Sequence, residues 1–190
     1  MNGPFRHSSN SGNEACQHSN VWYEDNQYSV RFDFELHVPA ATKIMLSTIN
    51  EGDIKVERVS GGFDLHNVNG GIELSEAAGS GNVHTVNGKI SATFTRNPAN
   101  GTSFKTVNGT IEASFRPNLA ADVWLKTMNG GAYTDFPATA LANMPATAER
   151  RDGKFVYRGN RSSTVRIGAG GPEYKFETLN GSIRIINRGQ

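Results

Sequence analysis

Thr85-Val86-Asn87-Gly88-Lys89-Ile90-Ser91-Ala92, answered by Thr106-Val107-Asn108-Gly109-Thr110-Ile111-Glu112-Ala113, is the stretch on which the fold turns. The phrase also stands at Thr48-Ile49-Asn50, Asn67-Val68-Asn69-Gly70, Thr127-Met128-Asn129-Gly130 and Thr178-Leu179-Asn180-Gly181. Steps from one Asn to the next are 19, 18, 21 and 21 residues, then 51. A recurring period of this size points to stacked repeats.

The flanks are equally regular. Four residues before each Asn stand Leu46, Leu65, Val83, Phe104, Leu125 and Phe176, and after the turn come Ile72, Ile90, Ile111, Ala132 and Ile183. Alternation with period two on both sides marks strands with one buried face. In the first copy Ile54 and Val56 arrive one residue late, which predicts a bulge or a longer corner there.

Asn-Gly between strands has two readings. A tight hairpin needs positive φ at both residues, which Asn and Gly tolerate, and would set Lys105 opposite Glu112. In a β-arc the chain bends instead, and each strand pairs with its equivalent in the next copy about 4.8 Å away. Only the arc explains why Thr-x-Asn-Gly recurs, because stacked copies let Asn50, Asn69, Asn87, Asn108, Asn129 and Asn180 form a structural ladder. Ser60-Gly61-Gly62, Gly79-Ser80-Gly81-Asn82, Asn97-Pro98-Ala99-Asn100-Gly101 and Arg116-Pro117-Asn118 supply second corners between the first.

The expected fold class is therefore all-β: a single-stranded, β-helix-like solenoid of about five short coils. The alternating run Tyr28 to Val38 predicts an N-terminal capping strand, and Pro137 to Pro172 an irregular insertion before the last coil. Within that insertion Lys154-Phe155-Val156-Tyr157-Arg158 and Thr164-Val165-Arg166-Ile167 read as strands, while 137–145 leaves room for at most a short helix. Residues 1–25 read as a disordered polar arm and 26–190 as the domain, with 137–172 inserted in it.

The Val-Asn-Gly-x-Ile-x-Ala units, preceded by Leu36-His37-Val38-Pro39-Ala40 and closed by Gly168-Ala169-Gly170-Gly171 and Thr178-Leu179-Asn180-Gly181-Ser182-Ile183-Arg184-Ile185, resemble a bacterial adhesin-like family of β-solenoid repeat domains. The resemblance spans roughly residues 28 to 187. It implies a right-handed solenoid, no agreed catalytic residues and an extracytoplasmic place in the cell envelope. The polar residues at the start of the chain lead us to expect no signal peptide in it, a departure from the family pattern.

Composition narrows function by exclusion. A net charge of +1 gives no field to draw nucleic acid or an anionic membrane, and no run of about 18 apolar residues is present for insertion. Cys16 is the single cysteine, so no internal disulfide or Cys-x-x-Cys zinc site can form. His66 and His84 fall on neighbouring copies, yet two ligands fall short of a zinc set, and no metal or other cofactor is expected. Asp64, Glu73, Glu112 and Asp135 are outward carboxylates without a paired arrangement, so a carbohydrate-active enzyme is the least favoured reading.

What remains is contact. Trp124 and Tyr133 have outward parity and suit the faces of sugars, and Arg150, Arg151 and Arg158 suit carboxylates or sulfates. The expected function is a non-enzymatic adhesin-like or cell-envelope structural domain presenting a rigid β-face to a protein or glycan surface. Self-assembly through solenoid ends, giving a homo-oligomer, is the alternative.

Overall fold

The structure is a computed structural model that describes residues 33–50, 52–141 and 162–189, together with the backbone of strand segments 147–151 and 154–158. The chain divides into units 1–36 and 37–190, and the second holds every described strand. The expected arm, and residues 28–32 of the expected capping strand, lie outside the described residues.

Sixteen strands and no helix are found among the described residues: β1 Ile44–Thr48, β2 Ile54–Glu57, β3 Phe63–Asn69, β4 Ile72–Ala77, β5 Gly81–Asn87, β6 Ile90–Phe94, β7 Thr102–Asn108, β8 Ile111–Phe115, β9 Ala121–Asn129, β10 Ala132–Thr134, β11 Ala138–Ala140, β12 Thr147–Arg151, β13 Lys154–Arg158, β14 Ser163–Ile167, β15 Glu173–Asn180 and β16 Ile183–Asn187. They form two eight-stranded sheets. The front sheet runs β1-β3-β5-β7-β15-β9-β14-β11 and the back sheet β12-β13-β10-β16-β8-β6-β4-β2.

The all-β character agrees with the sequence; the single-stranded solenoid does not, and neither do five coils stacked in chain order. Two findings overturn it. The last copy lies between earlier ones, β15 pairing in parallel with β7 and β9, and β16 with β8 and β10. The interval 137–172 then completes both sheets with antiparallel strands: β14 on β9, β11 on β14, β13 on β10 and β12 on β13. The architecture is a two-sheet sandwich of parallel and mixed strands. Nor do residues 33–38 form a strand; Phe34, Leu36 and Val38 are exposed.

A physical reason for the altered order lies in the side chains. In chain order Lys105 and Lys126 would be direct cross-strand neighbours, and like charges so placed repel. With β15 between them, Glu177 bonds Lys126 at 2.7 Å and lies 3.4 Å from Lys105. Inside, Phe176 stacks on Phe104 at 5.0 Å and Tyr174 on Phe115 at 5.4 Å. Phe94 meets Phe104 across the sandwich at 6.3 Å and stacks on Phe115 at 5.0 Å. Each such buried ring contributes about 1.5–3 kcal/mol.

The Asn-Gly sites are corners between the sheets. Asn69, Asn87, Asn108, Asn129 and Asn180 lack the positive φ that a type I′ hairpin requires, and equivalent residues pair in register, Asn87 with Asn108 and Asn108 with Asn180. Thr85, Thr106, Thr127 and Thr178 each donate a hydroxyl hydrogen bond to a corner glycine carbonyl of the neighbouring strand pair, at 2.9–3.2 Å. This bond explains the Thr of the motif. Its Gly follows from close approach: a Cβ on Gly109 would overlap the Gly88 carbonyl oxygen. The late register of the first copy is absorbed in its corner, where Asn50 has φ 68°, so Ile54 still pairs with Ile72. The bulge lies elsewhere, between Leu74 and Ala77, with Glu76 at φ 55°.

Candidate functional site

Outward residues of the front sheet form three columns beside the Asn ladder. The ladder runs Asn69, Asn87, Asn108, Asn180, Asn129, each side-chain amide bonded to the next at 2.7–2.8 Å. Asn50 does not join this described ladder. Since the amides of Asn87, Asn108 and Asn180 each donate to one neighbour and accept from the other, the row fixes the spacing of the corners and the columns next to them.

The first column, one residue before each Asn, is apolar throughout: Ile49, Val68, Val86, Val107, Leu179, Met128 in sheet order. Ile49, Leu179 and Met128 are exposed and the three valines half-buried. From β1 onward, the exposed large hydrophobic side chains among the described residues are Met45, Ile49, Met128 and Leu179, and all four stand on this face. Sequence reasoning missed this column although its signal was legible, an apolar residue recurring at outward parity.

The second column is ionisable: His66, His84, Lys105, Glu177, Lys126. His66 Nε2 lies 2.9 Å from Asp64 Oδ1, and the two imidazoles meet edge to face at 5.8 Å. Burial, then repulsion from His66 and Lys105, holds the His84 pKa below its ordinary value. The hydrogen bond from Lys126 holds Glu177 below the usual carboxylate range, aided by attraction to both lysines. Among the described residues no group of three or more His, Cys, Asp or Glu side chains comes together as a metal set.

The third column is Met45, Asp64, Asn82, Ser103, Lys175, Trp124. Trp124 is half-buried here, with the Lys126 ammonium 6.0 Å from its ring centroid. Tyr133 is not beside it. It lies on β10 of the back sheet, where its ring covers Gly131, so the two aromatics face outward from opposite sheets and make no joint platform. Arg150 and Arg151 fall on β12 and Arg158 on β13; their side chains lie outside the described residues.

The outward carboxylates are spread over both sheets and individually engaged. Glu73 lies 4.0 Å from Lys55, and Glu112 pairs with Lys89 and, at 3.4 Å, with Arg184. Asp122 makes a two-pronged pair with Arg166 at 2.7 and 2.9 Å, and that hydrogen bonding lowers its pKa. Asp135 accepts from the backbone N–H of Asn187 at 3.4 Å. On the back sheet an open polar groove of about 480 Å³ is lined by Glu57, Arg58, Ser75, Glu76, Thr93 and Arg188. Its charges are mixed, and Arg58 and Glu76 both have φ 55°. Tyr174, a further residue that sequence reasoning passed over, is buried with its hydroxyl donated to the Pro98 carbonyl at 2.6 Å, and burial pushes its pKa up.

Among the described residues no helix is long and apolar enough to cross a membrane. No protein-family model, curated protein or solved structure matches the chain.

Proposed function

We propose that the chain is a non-enzymatic, adhesin-like contact domain of the cell envelope that offers the outer face of its front sheet to a protein or glycan surface. The observation supporting this is the apolar column from Ile49 to Met128 beside the His66–Lys126 charged column, both set by the Asn ladder. Such a row is rigid before binding, so little conformational entropy is lost on contact. Exposed apolar side chains gathered on one face are a mark of interaction surfaces.

The test is a binding screen of the folded chain against a glycan array and envelope fractions, with Val107→Lys as the face variant and Ile111→Pro as the unfolded control. Saturable binding that Val107→Lys abolishes supports the reading. Binding that survives Val107→Lys removes it, as does a chain that binds no fraction and stays monomeric.

A second reading, end-to-end assembly, is favoured by one observation. Strands β1 and β2 are sheet edges, and Ile44 and Leu46 are only half-buried where Phe63 and Leu65 of the next strand are buried. Concentration-dependent growth in light scattering that Ser47→Pro stops would support it.

A further inference from the structure

We propose that the partner of the front face is a second copy of this chain, packed face to face about a two-fold axis parallel to the strands and passing between β5 and β7. The inference rests on the contact-face reading above and names its partner. Its basis is that the face is complementary to itself when the strand order is inverted, as a two-fold interface requires.

The inversion brings first strand to sixth, second to fifth and third to fourth in the order β1-β3-β5-β7-β15-β9. Along the apolar column Ile49 meets Met128, Val68 meets Leu179 and Val86 meets Val107 of the second copy, apolar against apolar at every step. In the outer column Met45 meets Trp124, Asp64 meets Lys175 and Asn82 meets Ser103. In the charged column His66 meets Glu177, and Ser47, beside His66 on β1, meets Lys126. His84 then faces Lys105, which a neutral imidazole tolerates, and the environment of His84 disfavours its protonated form. Sheets packed this way lie about 10 Å apart with strands nearly aligned.

Within one copy Asp64 and Lys175 cannot reach each other. They lie on β3 and β15 with β5 and β7 between, three strand spacings or about 14 Å. A charge exchange between these positions can therefore restore a pair only across two copies.

Sedimentation velocity of the full chain over a range of micromolar concentrations reads the association directly, with a thermal melt of each variant to establish that it folds. The wild type is expected to dimerise and Val86→Lys to be a folded monomer. Asp64→Lys is expected to raise the dimer dissociation constant about tenfold or more, and Asp64→Lys with Lys175→Asp to restore it. A wild type monomeric throughout overturns the inference, as does a dimer indifferent to Val86→Lys or a double variant that fails to recover. Envelope or glycan binding by a monomeric wild type, lost in Val86→Lys, would overturn the second copy as partner while leaving the contact face in place. If Val86→Lys alters neither association nor binding, both readings fail.

Discussion

At the scale of single residues, the motif divides into parts with separate physical duties. Thr seals a corner carbonyl, Asn joins the ladder and Gly admits the neighbouring backbone. Asn67 replaces the Thr in its copy, and its side chain shows the cost. Its Nδ2 donates to the Gly52 and Gly71 carbonyls at 2.7 and 3.2 Å, while its buried Oδ1 has no hydrogen-bond partner among the described residues. Asn67→Thr should remove that orphan acceptor, keep the bond to Gly52 and raise stability by about 1 kcal/mol, read as a shift in urea midpoint at constant slope. Gly109→Ala should act in the opposite sense. Its methyl group meets the Gly88 carbonyl, and the displaced corner should lower stability by roughly 2–4 kcal/mol in the same assay. The Thr and Gly columns were visible in the sequence as recurrence; the particular carbonyl each one serves was not, because that partner belongs to another copy.

At the scale of elements, the placing of β15 is the decisive event. Glu177→Lys would put a third cation between Lys105 and Lys126, and should lower the melting temperature well beyond the loss expected from a lone surface pair. The same carboxylate predicts a pH dependence. Its folded pKa is depressed, so the stability it lends is present above the ordinary value of 4.5 and is lost as pH falls through the lower folded value. His84 acts in the same direction from a higher starting point, since a depressed imidazole pKa means that protonation below 6.5 favours the unfolded chain. Thermal melts should therefore fall as pH drops below about 6.5 and again below about 4.5, with Glu177→Gln flattening the second fall and His84→Asn the first. A melting temperature that holds steady across both ranges would contradict this account. The clue to β15 lay in the sequence, as two lysines followed by a glutamate at one outward position, but it becomes an instruction only once strands compete for neighbours.

At the scale of the whole molecule, the C-terminal copy is central and not terminal. Ending the chain after Pro172 removes β15 and β16 from the middle of both sheets, together with Tyr174 and Phe176 from the aromatic core. Cooperative unfolding should be lost altogether in that truncation, as seen by circular dichroism and hydrogen exchange; copies stacked in chain order would instead lose one end and keep the rest folded. The sequence by itself determined the all-β class, the alternation that marks inward and outward residues, and the corners, because period, turn chemistry and side-chain parity are local properties of the chain. It also placed the strands at 154–158 and 164–167 to within a residue. Strand order, the antiparallel completion of the sheets by residues 137–172, and the separation of Trp124 from Tyr133 were decided only by tertiary structure. Copies with nearly the same pattern present nearly the same backbone edge to one another, so local signals leave their order degenerate. Charge pairing and ring stacking between residues 51 to 72 positions apart, such as Lys126 with Glu177 and Phe104 with Phe176, then select one arrangement.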